Sequence, residues 1–531
     1  MARAVAVPPQ RSGALLGWAV ILAVVAVVSA PVMVLAWSVL DPSTDVWADL
    51  WRTRLPGMIV ETAVLLVCVV AGCVVLGAGL AWVVTAYRFP GRRVLGWLLV
   101  TPLAVPAYVG GFVWLDTLSG VMGARGVRSL WLCALVMVLT LYPYVYLFAR
   151  AAFADLGTGM VAAARSLGAG PAEVFLRVAL PAARPAIAAG AALVAMEVLT
   201  DIGTVRLFNV STLADGVMRV WFGSGDRGAA TELATALTAA ALLLVACERL
   251  LRGGARRSRS ASDAATTARS LTGGKAVAAL GGCLTVVVVA VGVPVVRLVG
   301  WAMQAVAEGQ TGTVAGGVGH HASNSLLFAG VAASVCIVTG VLLALLVAHR
   351  GVRARVVGRL ATVGYAMPGP VIAVGVVVTL AAVDRRGWLP DGFVLVGSAV
   401  GVVFALTVRF LAVGYNGVEA ALDQVPSGTV ESARTLGAGP LRTALAIEVP
   451  SVRFGILAAV SLLFVDMVKE LPVTLLLRPF GVDTLSVWVW QATSESLWTQ
   501  AAVPSLVIVA VGMLAVGALL FAIERGAEVV S

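Results

Sequence analysis

Residues 14–40 read ALLGWAVILAVVAVVSAPVMVLAWSVL, without a single charged side chain. A helix crosses a hydrocarbon layer with roughly 20 apolar residues, so this run is long enough to span a bilayer. It follows Arg3 and Arg11, a flank resembling that of a secretory signal. The apolar core of a signal is only about 7–15 residues long, and an uncleaved first span is the better expectation. Comparable runs recur at 57–86, 94–118, 129–149, 183–203, 229–247, 276–303, 324–348, 360–383, 392–414, 452–468 and 501–523. The expected fold is therefore all-α: a polytopic transmembrane helical bundle of about twelve spans.

Composition agrees. Hydrophobic residues make up 60% of the chain and charged residues 12%, at a mean hydropathy of +0.99, which excludes an ordinary soluble globule. The net charge of +10 does not point to nucleic acid, because Lys and Arg punctuate apolar runs instead of sharing a face with interleaved aromatics. Assigning loops alternately, 25 of the 37 basic residues fall on one side and 12 on the other. By the positive-inside bias, both termini are expected in the cytoplasm, with Arg409 to Arg453 among the cytoplasmic basic groups. Cys68, Cys73, Cys133, Cys247, Cys283 and Cys336 all lie in apolar segments and read as small buried side chains rather than metal ligands or disulfides.

Working outward, Glu248–Lys275 (ERLLRGGARRSRSASDAATTARSLTGGK) is basic, rich in Ser, Gly and Ala, and has no apolar face. It reads as a flexible cytoplasmic linker whose RRSRS could also meet anionic lipid headgroups. The linker divides the chain nearly in half. Ala163–Pro171 reads AARSLGAGP and Ser432–Pro440 reads SARTLGAGP, identical at seven of nine positions at an offset of 269. Arg93–Gly96 precedes Pro106 as Arg355–Gly358 precedes Pro368, and Asp201 and Glu470 share the 269 offset. Ordered anchors of this kind signify duplication. The expected organisation is 1–247 as a first transmembrane repeat, 248–275 as linker and 276–531 as a second repeat, two parallel six-span units about an axis along the membrane normal.

Each copy of the nine-residue match lies between the fourth and fifth spans of its half. The second runs Glu431-Ser432-Ala433, three residues, Gly437, nine residues, Ile447-Glu448-Val449-Pro450; the first runs Ala162-Ala163-Ala164, three residues, Gly168, nine residues, Val178-Ala179-Leu180-Pro181. Small residues permit close approach to another surface, glycine permits a left-handed turn, and proline opposes unbroken continuation of the helix. Each copy thus reads as a rigid helix–turn–helix foot, with Gly168 and Gly437 as equivalent pivots.

These two segments resemble the cytoplasmic signature of the permease family of ABC importers: Glu-Ala-Ala, three residues, Gly, nine residues, Ile-x-Leu-Pro. The second copy departs at Ser432 and Val449, and the first has Ala162 where the leading acid would stand. The resemblance implies that the feet are coupling helices docking on ATPase subunits through Ala163, Ala164, Gly168 and Pro181, and through Glu431, Ala433, Gly437 and Pro450. It implies a permease of a bacterial inner membrane that is not itself an enzyme and carries no cofactor, with two copies of an ATPase partner binding ATP and magnesium, and a separate extracytoplasmic substrate-binding protein. In accord, no phosphate-cradling G-x-x-x-x-G-K-[ST] is present, since Gly273-Gly274-Lys275 is followed by Ala276.

Acids at membrane depth are functional candidates by default. Glu197 and Asp201 end the fifth span and Asp466 and Glu470 the eleventh; each pair is four apart, hence on one helical face. They either satisfy the ends of broken helices and pair with neighbours such as Lys469, or line a shared cation path. The wording EVLTDIGTV at 197–205, KELPVTLLLRPFGVDTL at 469–485 and RFPGRR at 88–93 is similar to the ferric iron branch of that family, within a group that also imports thiamine and polyamines. Ferric iron as cargo is what this implies, with thiamine or another small cation or polyamine as the alternative and a proton-coupled secondary transporter as the rival from another class. His320 and His321 are expected in a solvated outside loop.

Overall fold

The computed structural model describes residues 11–38, 44–154, 156, 158–224, 227–252, 268–308, 311–348, 350–390, 392–423, 425 and 427–530. Helix dominates because a backbone in lipid must satisfy its N–H and C=O groups internally. Among the described residues, eight helices are long and apolar enough to cross a membrane: Leu15–Trp37, Leu55–Ala86, Leu130–Ala154, Pro171–Thr200, Gly274–Ala307, Gly317–Ala348, Ala399–Leu422 and Trp498–Ala522. Counting each of two bent pairs as one span gives ten, so the expected twelve are not all matched.

The shortfall has local causes. Arg92–Ala104 and Ala107–Gly123 meet at 90°, dividing the run 94–118 at Pro106. Proline brings no N–H to the preceding turn, and Pro106 and Pro368 both pass in an extended conformation, with ψ of 144° and 147°. The run 360–383 divides in the same way, leaving Gly369–Arg385 as a helix of 17 residues. The expected span 229–247 is present as the short apolar helix Gly228–Leu244. Pro440–Ser451 and Arg453–Val468 meet at 69°, before the eleventh span.

Glycines set the closest helix contacts. A Cβ on Gly77 would lie 2.9 Å from the Tyr142 carbonyl oxygen, one on Gly190 2.8 Å from Val145 Cα, and one on Gly340 2.9 Å from the backbone of Gly414. Lipid tails compete for apolar side chains, so close backbone approach through small residues is what joins helices here.

The first helix of each half packs on the opposite half. Ile21, Val28 and Leu35 of Arg11–Ser38 are buried in a core built chiefly from residues 328–487, and Gly375 admits Leu35 and the Pro31 carbonyl so closely that a Cβ would meet them at 2.8 and 2.9 Å. Reciprocally, Ala276 and Cys283 of Gly274–Val287 enter a core built chiefly from residues 65–210. The end of the expected linker is tied down as well. Tyr87 and Arg88 form a short parallel ladder with Arg269 and Ser270, extended by Leu271 N–H donating to the Arg88 carbonyl at 2.9 Å. RRSRS lies outside the described residues.

Cys73, Cys133, Cys283 and Cys336 are buried, Cys68 is half-buried, and all five are free thiols; the Cys247 side chain lies outside the described residues. The expectation for the histidines changes. Both belong to the helix Thr311–Ala348; His320 is exposed, but His321 is half-buried, its Nδ1 3.1 Å from the Asp483 carbonyl oxygen and its ring 4.8 Å from that of Trp488.

Candidate substrate chamber and helix–turn–helix feet

Two transmembrane helices stop short at corresponding places. Leu180–Thr200 ends at Asp201, whose ψ of 119° leaves the helical region, and the chain re-enters helix at Gly203–Leu207. Arg453–Val468 ends at Lys469 and is followed by Pro472–Leu477. Broken backbone within an apolar layer is tolerated only where it is buried in protein or lines a cavity, and a cavity is present. It measures about 70 Å³ and is lined from both halves, by Pro106, Tyr108, Thr140, Glu197, Thr200 and Asp201 on one side and by Arg409, Phe410, Asp466, Lys469 and Glu470 on the other. One ordered water needs roughly 10–15 Å³, so the chamber holds a few waters or a small solute.

All four acids singled out from the sequence line this chamber, but not on continuous helical faces. Asp201 and Glu470 lie beyond their helix ends and cap the next short helix. Thr204 donates to Asp201 from its backbone N–H and its hydroxyl, both at 2.6 Å; Val473 N–H donates to Glu470 Oε1 at 3.2 Å. Glu470 is also ion-paired with Arg409, side chains 5% and 8% exposed. Asp466 pairs with Lys469 at 2.9 Å. Glu197 has neither a side-chain hydrogen bond nor an ion pair among the described residues.

Sequence reasoning missed Arg409, which the alternating charge count had placed in the cytoplasm. It sits within Ala399–Leu422, buried; removing one charge from the cytoplasmic side leaves the bias in the same direction. The signal was available, since an arginine inside the run VVFALTVRFLAVGY marks an intramembrane charge with a partner. A 269 offset relates Thr140 to Arg409 and Thr200 to Lys469, so both chamber cations come from the second half. Among the described residues, no three His, Cys, Asp or Glu side chains converge as metal ligands.

The two feet share one local geometry. The helix Thr158–Ser166 is followed by Gly168 at φ +87°, Pro171–Val174 and a π-turn over Phe175–Ala179. The helix Ser427–Thr435 is followed by Gly437 at φ +84°, Pro440–Thr443 and a π-turn over Ala444–Glu448. Ala169 N–H donates to the Ala164 carbonyl at 3.1 Å, and Ala438 N–H to that of Ala433 at 3.0 Å; these are the six-to-one bonds of a Schellman ending, with glycine at the left-handed position. Ala163 and Gly168 are exposed and Ala164 half-buried; Glu431 and Gly437 are exposed and Ala433 buried. Pro181, half-buried, does not break its helix, for Pro171–Thr200 runs through it as one span. A π-turn just before proline absorbs the missing N–H. Exposed Pro450 lies next to the bend at Val452. At the tip of each foot a leucine, Leu167 or Leu436, is 88% exposed.

A family model described as "Binding-protein-dependent transport system inner membrane component" matches residues 73–252 and again 337–528. The Fe(3+)-transport system permease protein FbpB 2 of Haemophilus influenzae is 26% identical over 463 residues, 87% of this chain and 88% of that protein. The sulfate transport system permease protein CysT of Escherichia coli is 31% identical over 222 residues, 38% of this chain and 78% of that protein; its Salmonella typhimurium counterpart is 32% identical over 219 residues.

Proposed function

This chain belongs to the family of binding-protein-dependent transport system inner membrane components, and from that premise we propose that it carries ferric iron through the chamber between its two halves. As a member of the family it is a multi-pass inner-membrane permease subunit of an ABC transporter, not an enzyme, working with a substrate-binding protein and an ATPase.

The observation that carries the iron reading is the charge of the chamber, where four carboxylates face two cations. An acidic path suits a cation, and a hard trivalent cation favours oxygen donors. Likeness to an iron permease over most of the chain adds support. Sulfate is the second reading, favoured by the sulfate permease relatives and by the presence of Arg409 and Lys469; both cations already pair with carboxylates, which an oxyanion would have to displace. Thiamine or a polyamine would share the acidic path.

In this reading residues 1–247 and 276–531 are duplicated halves joined by the linker 248–275, both termini are cytoplasmic, and two ATPase copies engage the feet. Leu167 and Leu436 project fully at the tips and would seat in the partner, while the glycine turns behind them hold the angle at which a push is transmitted. Closure of the ATPase pair would then rock the halves and open the chamber inward. The test is uptake into proteoliposomes containing the chain, its ATPase and its binding protein, with radiolabelled ferric iron or sulfate. ATP-dependent entry of iron and not sulfate is expected; entry of sulfate alone would overturn the cargo assignment.

A further inference from the structure

Half of the charges in the chamber are committed to structure. Asp201 and Glu470 cap short helices, and Arg409 is held by Glu470. Lys469 differs. Its side chain is 17% exposed and its Nζ lies 2.9 Å from Asp466 Oδ1. It is also in electrostatic reach of Glu197, the acid from the opposite half with no partner of its own among the described residues. One ammonium thus stands on the cavity wall paired with Asp466, and Glu197 lines the same cavity; neither acid caps a helix. The corresponding residue of the first half is Thr200, so this cation is a feature of one half only.

We propose that the Lys469 ammonium is a tethered occupant of the cargo position, seated against Asp466 on the wall that Glu197 also lines and displaced by each cation that passes. The inference rests on the cation reading above and adds to it the means of release. Breaking a buried ion pair without replacement strands two charges in a low dielectric, so the pair opens when another cation takes the ammonium's place. A hard multivalent cation bound by two bare carboxylates would be slow to leave. A lysine on a four-carbon stem competes for the same oxygens and returns as the cargo departs, keeping occupancy brief.

The experiment uses the full chain reconstituted with its ATPase and binding protein, with radiolabelled ferric iron delivered on the binding protein. It compares wild type with Lys469→Gln, which retains a donor for Asp466, and with Lys469→Arg, which retains the charge. Two quantities are read: initial uptake rate, and iron remaining with the permease after gel filtration without ATP. Lys469→Gln should retain roughly tenfold more iron or above, since a unit charge a few ångströms away is removed, and should turn over more slowly. Lys469→Arg should retain no more than wild type yet import several-fold more slowly, because a guanidinium held by a carboxylate is harder to displace. If wild type imports iron but Lys469→Arg imports it equally fast, or folded Lys469→Gln retains no more than wild type, the tethered-occupant proposal is overturned and the iron reading stands. If wild type imports no iron, the cargo reading falls and takes this inference with it.

Discussion

Removing one member of the Arg409–Glu470 pair tests whether the chamber is built around a structural ion pair. Both side chains are nearly inaccessible, at 8% and 5%, and a Cβ on Gly369 would lie 2.0 Å from an Arg409 guanidinium nitrogen, so the pair sits in space that only glycine leaves open. Truncating one partner of a buried pair strands the other charge, at a typical cost of about 3–5 kcal/mol. Arg409→Met should lose an amount in that range, because Glu470 has no other ion pair among the described residues. Glu470→Gln should lose less, because its amide oxygen still accepts from Val473 N–H, a bond of 3.2 Å in the native protein. In the double variant no charge is stranded, and neutral groups of similar volume are often no worse than the pair. It should recover most of the loss, with a coupling energy of about 2–3 kcal/mol, near the top of the usual range. The assay is a double-mutant cycle on the purified chain in detergent, unfolding followed by tryptophan fluorescence against denaturant. Additive single effects, with coupling under about 0.5 kcal/mol, would show that the two residues do not depend on one another and would refute the reasoning.

The feet give two further expectations. Gly168→Ala and Gly437→Ala place a side chain at φ +87° and +84°, and each should destabilise its turn by about 1 kcal/mol, seen as faster proteolysis at the foot with little change in global unfolding. Leu167→Glu or Leu436→Glu alters only a side chain that is 88% exposed. Stability should therefore hold within about 0.5 kcal/mol while co-purification of the ATPase and ATP-driven uptake fall; full retention of both would remove the leucine tips from the interface.

Much of the architecture was readable because lipid imposes a simple requirement. An uncharged run such as 14–40 has to be helical wherever it meets hydrocarbon, and the helix Leu15–Trp37 is where that run places it. The breaks at Pro106 and Pro368 were not readable, because a proline in an apolar run is either carried within a continuous helix, as Pro143 is within Leu130–Ala154, or ends it. Which outcome occurs depends on what packs around the freed carbonyls. The acids were legible as candidates from their cost at membrane depth. Which of them also cap a helix was not, since it depends on Asp201 and Glu470 falling just beyond the ends of their helices. Arg409 escaped because charge counting assigns a residue to a side by its order along the chain, and a buried pair is invisible to order.

By itself the sequence determined the helical class, the two matched feet with their glycine turns, and the acids that line the chamber, because each follows from local chemistry: the hydropathy of a run, a left-handed backbone position, the cost of an ion in lipid. Only the tertiary structure decided that Arg11–Ser38 and Gly274–Val287 pack on opposite halves, that Arg409 meets Glu470 across 61 residues, and that Lys469 closes on Asp466 in the cavity that Glu197 also lines. Those contacts join residues distant in sequence through shape and charge complementarity, which no local pattern encodes.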